Sequence, residues 1–216
     1  MTFRLRFSFS EQDRAALLSH LEVQRALQRL VRRAALPFAL SQGFSPHMKL
    51  ATGPALPVGV ASLKEYAEVE LDRFVKPAEA LARLQHAAPP LLPVLDCAYV
   101  APTEPSLDSW FNRQACEFTT CAKQEELRQH FESVCAGPEL EVVRKGKVKR
   151  YLPSEFVVGP VVLTGEAERT TARFVLRMKS TGSLRADLFA AALLRPFKIT
   201  PYEAGLCRVD LYHEED

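Results

Sequence analysis

The chain has 216 residues, 28 Lys and Arg against 26 Asp and Glu, a formal net charge of +2, and 47% apolar residues. These values exclude a disordered, collagen-like or strongly polyionic chain, and the length allows one large domain or two small ones with separate cores. No apolar run approaches the roughly 18 residues of a membrane span, and Met1 leads straight into a strand pattern rather than a signal peptide. A cytoplasmic protein without membrane contact is therefore expected.

Phe3-Arg4-Leu5-Arg6-Phe7-Ser8-Phe9 alternates apolar and polar residues, the period of a strand with one buried and one solvated face, which places Arg4 and Arg6 together in solvent. Residues 10–18 read as a turn and lead-in. Ser19, followed three residues later by Glu22, forms a capping box that starts a helix. From there Val23, Leu27, Leu30, Val31 and Ala34 share one arc, and Arg25, Arg29, Arg32 and Arg33 share the opposite one. Pro37 stops this helix, and Ser41-Gln42-Gly43-Phe44-Ser45-Pro46-His47 has the composition of a structured loop.

A strand near Lys49–Thr52 follows, then a Pro/Gly-rich crossing from Gly53 to Gly59, and the alternating strand Tyr66–Leu71. Glu68 and Glu70 share one strand face; solvated side chains are the expectation, ahead of a metal-binding pair. Pro77 opens a helix through about Ala87 with Ala80, Leu81 and Leu84 inward, and Leu92–Val100 closes the half as a strand. The order is β-α-β-β-α-β, the ferredoxin-like arrangement.

After a Pro-rich junction the order repeats. Strands are expected at Gln114–Cys121, Leu140–Val143, Val157–Thr164, Ala172–Lys179 and Leu206–Tyr212, with helices at Lys123–Val134 and Leu184–Leu194 and an extra strand or hairpin to accommodate. The fold class is accordingly α+β, as two tandem ferredoxin-like units, residues 1–101 and 106–216. One continuous α+β domain is the competitor.

Five cysteines (Cys97, Cys116, Cys121, Cys135, Cys207) are an odd number at irregular spacing and fit free thiols in a reducing compartment. Cys116 and Cys121 stand too far apart for a CxxC half-site, and the iron–sulfur spacing CxxxCxxC is absent, so no metal or cofactor is expected on this chain. The Gly53–Gly59 crossing lacks phosphate-loop spacing, and no Ser/His/Asp triad is evident.

The chemistry-bearing features are basic and aromatic. The arginine face of the first helix concentrates positive charge that a near-neutral total conceals, which suits RNA phosphates or an acidic partner; a merely solvated face is the competing account. Arg144-Lys145-Gly146-Lys147-Val148-Lys149-Arg150 places five basic residues in seven beside Tyr151, as a basic hairpin tip or loop able to grip RNA while Tyr151 stacks. In the Gly43–Lys49 loop Phe44 offers a stacking surface, and His47 and Lys49 offer phosphate contacts. His20 and His47 are also the candidates for an acid–base pair cleaving RNA, if the fold brings them together.

Ser19-His20-Leu21-Glu22, Arg25, Arg29, Arg32-Arg33-Ala34, Leu36-Pro37, Ser41-Gln42-Gly43-Phe44-Ser45-Pro46-His47 and Leu56-Pro57-Val58-Gly59 with Ser62 and Glu65-Tyr66 resemble the radical SAM-linked family of uncharacterised bacterial proteins. Gly182-Ser183-Leu184-Arg185 is similar more loosely. The family commonly has Asp where Glu22 stands and Arg-Pro where Arg185-Ala186 stands. Members are encoded beside, or fused to, a radical SAM protein with a cobalamin-type domain, often near genes of RNA metabolism. The resemblance implies an accessory role with a radical SAM enzyme as partner, with the iron–sulfur cluster, S-adenosylmethionine and cobalamin carried by that enzyme. Tandem ferredoxin-like units also look like CRISPR repeat-processing endoribonucleases, an analogy of fold alone.

Three functions follow as expectations: an accessory RNA-binding module serving a radical SAM enzyme in rRNA or tRNA modification, a metal-independent endoribonuclease using His20 and His47, or a protein adaptor that docks the enzyme without RNA.

Overall fold

The computed structural model describes residues 2–144, 146–166, 169–179 and 182–215, with the backbone alone for Asp108, Val143, Arg144 and Glu166. The chain divides into two compact units, Met1–Phe111 and Asn112–Asp216.

The first unit runs β1 (Phe3–Glu11), α1 (His20–Arg33), β2 (Leu50–Thr52), β3 (Ala61–Leu71), α2 (Pro77–Ala87), β4 (Val94–Val100) and the short α3 (Leu107–Trp110). Its antiparallel sheet has the order β4-β1-β3-β2. Leu5, Phe7 and Phe9 of β1, with Ala67, Val69 and Leu71 of β3, pack against Val23, Leu27, Leu30 and Val31 of α1 and Ala80 and Leu84 of α2 in one buried cluster. The apolar arc of α1 thus meets the sheet face that the period-2 pattern of β1 supplies. Before α1 the chain makes a 3-10 turn, Asp13–Leu17, and β1 and β3 are longer than the alternation alone indicated.

The other face of β1 departs from expectation. It is covered, so Ser8 and Ser10 are buried and Arg4 and Arg6 are largely withdrawn from solvent. Residues 101–110 cover the end of that face that carries Arg4 and Arg6. The Arg4 guanidinium donates to the carbonyls of Ala101, Glu104 and Pro105 at 3.1, 2.8 and 3.1 Å, and Arg6 lies over the Trp110 ring at 5.8 Å. Glu68, expected in solvent, is 8% exposed and accepts from Arg4 Nε at 2.8 Å and Arg6 Nε at 3.1 Å. One carboxylate offsets only one of the two positive charges, and the bonds from Arg4 to the three carbonyls offset part of the cost of withdrawing the second from water.

The second unit runs β5 (Arg113–Thr120), α4 (Gln124–Ala136), β6 (Leu140–Arg144), β7 (Lys147–Tyr151), β8 (Val157–Glu166), β9 (Arg169–Arg177), α5 (Ala186–Leu194) and β10 (Cys207–Tyr212). Its antiparallel sheet has the order β10-β5-β9-β8, and β6 and β7 form a separate two-stranded hairpin. Phe118, Phe174, Phe189 and Phe131 link sheet to helices through ring contacts of 6.1, 5.2 and 5.9 Å in turn. The protein is therefore mixed α+β with antiparallel sheets, and among the described residues no helix is long and apolar enough to cross a membrane.

Candidate nucleic-acid interface

The expected capping box opens α1. Ser19 N–H donates to Glu22 Oε2 at 2.8 Å, the Ser19 hydroxyl donates to the same oxygen at 2.6 Å, and Glu22 N–H donates to Ser19 Oγ at 3.4 Å. These bonds, the Ser19 hydroxyl first, hold the Glu22 carboxyl below the usual glutamate range. With its start fixed, the helix places Arg25, Arg29, Arg32 and Arg33 in solvent opposite the core. Among the described residues none of the four makes a salt bridge, although Glu22 lies near enough to Arg25 to feel its charge. Their charge is thus available to a partner.

Arg32 leans over the Phe38 ring at 5.8 Å, and Phe38 bridges to Leu71 of β3. The chain from Phe38 to Leu40 carries the Ser41–His47 loop, whose stem closes through the Leu40–Met48 bridge and a Ser41 N–H to His47 carbonyl bond of 2.8 Å. Inside the loop Ser41 Oγ meets His47 Nδ1 at 2.8 Å and accepts His47 N–H at 3.1 Å. Gly43 has φ of +128° with open space where a Cβ would sit, so conformation rather than room requires glycine there. Phe44 at the tip is fully exposed. An apolar ring held entirely in water on a hydrogen-bonded loop offers itself to a stacking partner.

The remaining candidates are placed differently. Lys49 is tied to Glu70 at 2.9 Å, so part of its charge is spent within the protein. His20 lies at the start of α1 with Nε2 3.1 Å from Gln24 Nε2 and 3.4 Å from Thr52 Oγ1. His20 and His47 therefore have separate partners, and among the described residues no hydrogen bond joins them. No group of three or more His, Cys, Asp and Glu is placed to hold a metal among those residues.

In the second unit the basic cluster lies on the hairpin of β6 and β7. Lys147, Lys149 and Arg150 are exposed. Lys145 lies outside the described residues, as does the Arg144 side chain. Arg150 pairs with Glu141 at 2.8 Å, and the half-buried Tyr151 ring packs edge-on to Phe156 at 5.7 Å. Lys147 and Lys149 are the free cations of the hairpin among the described residues. Sequence reasoning passed over Arg73, Phe74 and Lys76, two exposed cations around an exposed ring between β3 and α2. The string itself held that signal.

Residues 4–186 match the model of a protein family conserved in bacteria, and the chain belongs to that family. It is described as "Uncharacterized protein conserved in bacteria (DUF2344)". No curated protein matches. A solved structure, that of an unknown protein from Galdieria sulphuraria, aligns over 100% of both chains at 10% identity with a TM-score of 0.28.

Proposed function

We propose that this chain is an accessory RNA-binding module that presents RNA, of the rRNA or tRNA class, to a partner radical SAM enzyme. The observation that carries the RNA reading is the unpaired arginine face of α1 beside the hydrogen-bonded loop that exposes Phe44. Cations for phosphates and a free ring for a base are the two parts a single-stranded RNA site needs. The radical SAM partner rests on the residue strings of the first unit, and the enzyme's iron–sulfur cluster, S-adenosylmethionine and cobalamin belong to that partner.

The proposal includes the finer reading of the fold as two tandem ferredoxin-like units. What supports it is the recurrence of one strand order: fourth, first, third, second in chain order in the first unit, and the same in the second once the β6–β7 hairpin is set aside. The separate partners of His20 and His47 give the endoribonuclease reading no geometric support.

The test is RNA binding by the purified chain followed across salt. The expected result is an affinity falling about fiftyfold between about 50 and about 200 mM salt, as four phosphate contacts to a single strand require, and a shallower slope when Arg25, Arg29, Arg32 and Arg33 are changed to Gln. Absence of RNA binding at low salt would overturn the proposal. Capture of the enzyme unaffected by nuclease, without RNA affinity, would establish the protein adaptor instead.

A further inference from the structure

A second basic and aromatic feature lies where α1 ends. Ala35 and Pro37, just beyond α1, and Arg73, Phe74, Lys76 and Arg83 line a cavity of about 440 Å³, within the range of pockets that take small ligands. Arg83 is engaged with Glu79 and donates to the Ala35 carbonyl at 3.3 Å. Arg73 and Lys76 are exposed and have no ion-pair partner among the described residues. The cavity therefore carries two uncompensated positive charges.

Its aromatic wall is built on a rigid backing. The Phe74 ring stacks on Tyr99 with centroids 5.0 Å apart and planes at 26°, and meets Phe3 edge-on at 5.7 Å. Tyr99 Oη in turn donates to the Val75 carbonyl at 2.9 Å and accepts Val75 N–H at 3.1 Å, which pins the backbone beside Phe74. Asp72 N–H donates to the Pro37 carbonyl at 2.8 Å and fixes the other side of the turn. Despite this support Phe74 remains 56% exposed. With one face on Tyr99 and more than half its surface exposed, the ring lines the same cavity as the two cations.

We infer that this cavity takes an unpaired RNA nucleotide, with its base stacked on Phe74 and its adjacent phosphates met by Arg73 and Lys76. A base inside a duplex already has both faces covered, so a stacking platform selects single-stranded RNA. The inference rests on the RNA-binding reading and deepens it with a second stacking residue, Phe74, in addition to Phe44. Chain position supports the continuity: Ala35, in the cavity wall, lies two residues beyond Arg33 at the end of the arginine face.

The test measures binding of the full chain to a short oligo(U), to a duplex RNA of equal length, and to an oligomer carrying 2-aminopurine. Phe74→Leu, which keeps apolar volume under the loop, is expected to weaken oligo(U) binding about tenfold, lower the quenching of 2-aminopurine to the part that Phe44 supplies and leave duplex affinity unchanged. Phe74→Trp should retain binding and quenching, which separates stacking from loss of structure. The pair Arg73→Gln and Lys76→Gln should lower the salt slope by about two.

If the wild-type chain binds RNA and Phe74→Leu changes nothing, the inference is overturned while the RNA-binding reading stands. If free 2-aminopurine ribonucleotide is quenched as strongly as the oligomer, the cavity belongs to a mononucleotide and the inference is also overturned. Competition by polyglutamate equal to that by oligo(U) assigns it to an acidic protein and has the same consequence. Failure of the wild type to bind any RNA removes the underlying reading and the inference with it.

Discussion

The Ser41 hydroxyl contacts the His47 ring at 2.8 Å and accepts the His47 backbone N–H at 3.1 Å, so one side chain closes the loop that lifts Phe44 into solvent. Ser41→Ala removes both contacts without touching Phe44 or the core. A typical hydrogen bond contributes about 1 kcal/mol net, and here the loss falls on the ordering of a surface loop. RNA affinity is therefore expected to fall severalfold while the melting temperature moves little. An equal loss of affinity and global stability would show instead that the loop is part of the cooperative core, and calorimetry beside a binding titration separates the two.

Glu68 holds two cations together. It bonds Arg4 and Arg6, and Arg4 reaches onward to the carbonyls of residues 101, 104 and 105. Glu68→Ala leaves two neighbouring guanidiniums largely out of water without their counter-charge, a change that costs about 3 kcal/mol in comparable buried pairs. Arg4→Ala should release the 101–105 segment, seen as faster amide exchange and as proteolytic nicking there. Urea unfolding of both variants checks this, with Glu68→Ala expected to lose more stability than any change on the arginine face of α1.

The Ser19–Glu22 box gives a pH dependence of defined sign. The Glu22 carboxyl titrates below its ordinary value because the Ser19 hydroxyl and backbone N–H donate to it. A carboxyl with a lowered folded pKa stabilises the fold fully above its unfolded value, and that contribution disappears as pH falls through the folded value. Ser19→Ala removes the cap, with a cost of about 1 kcal/mol at neutral pH. The difference between wild type and variant should narrow in acid, and melting curves taken from pH near 7 to pH near 3 follow it.

The five cysteines are all free, and they differ in environment. Burial pushes the Cys135 thiol up to about 11, burial also raises Cys97, and Cys116 lies in the core, whereas Cys121 is exposed. The thiolate is the reactive form, so alkylation of the native protein at mildly basic pH should mark Cys121 first and Cys135 and Cys116 last. Peptide mapping after brief iodoacetamide treatment tests that order. Early labelling of Cys116 would mean that the second unit opens readily.

How much of this was legible in the sequence depended on how local the cause was. Ser19 with Glu22, and the spacing of Val23, Leu27, Leu30 and Val31, are interactions between near neighbours, and α1 starts and faces as they dictate. The fate of Arg4 and Glu68 was not legible, because the segment that covers them begins at Ala101, 97 residues from Arg4, and an alternating Arg pattern reads as a wet face unless its cover is known. The strand β6 was expected, but β7 showed only as a basic tip or loop, since its exposed lysines give no alternation of apolar residues. In the loop before α2, Arg73-Phe74-Val75-Lys76 showed its basic and aromatic composition, but nothing local shows that Tyr99 would come to support the ring.

The end of α1 carries the last prediction. Leu36 N–H donates to the Val31 carbonyl at 3.4 Å and Ala35 N–H to the Arg32 carbonyl at 3.1 Å, the paired bonds of a Schellman termination, with Leu36 and Val31 both buried. Ala35 sits at the left-handed position with φ of +50°, where glycine is usual. With no glycine at that position, the sequence signals the helix end through Pro37 alone. A left-handed conformation costs a non-glycine residue about 1–2 kcal/mol, whereas glycine adds about 0.5–1 kcal/mol of backbone entropy to lose on folding. Strain relief is the larger of the two, so Ala35→Gly should stabilise the fold by about 0.5–1 kcal/mol, and Ala35→Val, with its branched Cβ, should destabilise it. Denaturant midpoints of the two variants moving in opposite directions are the expected outcome. A destabilised Ala35→Gly would show that entropy outweighs strain at this turn.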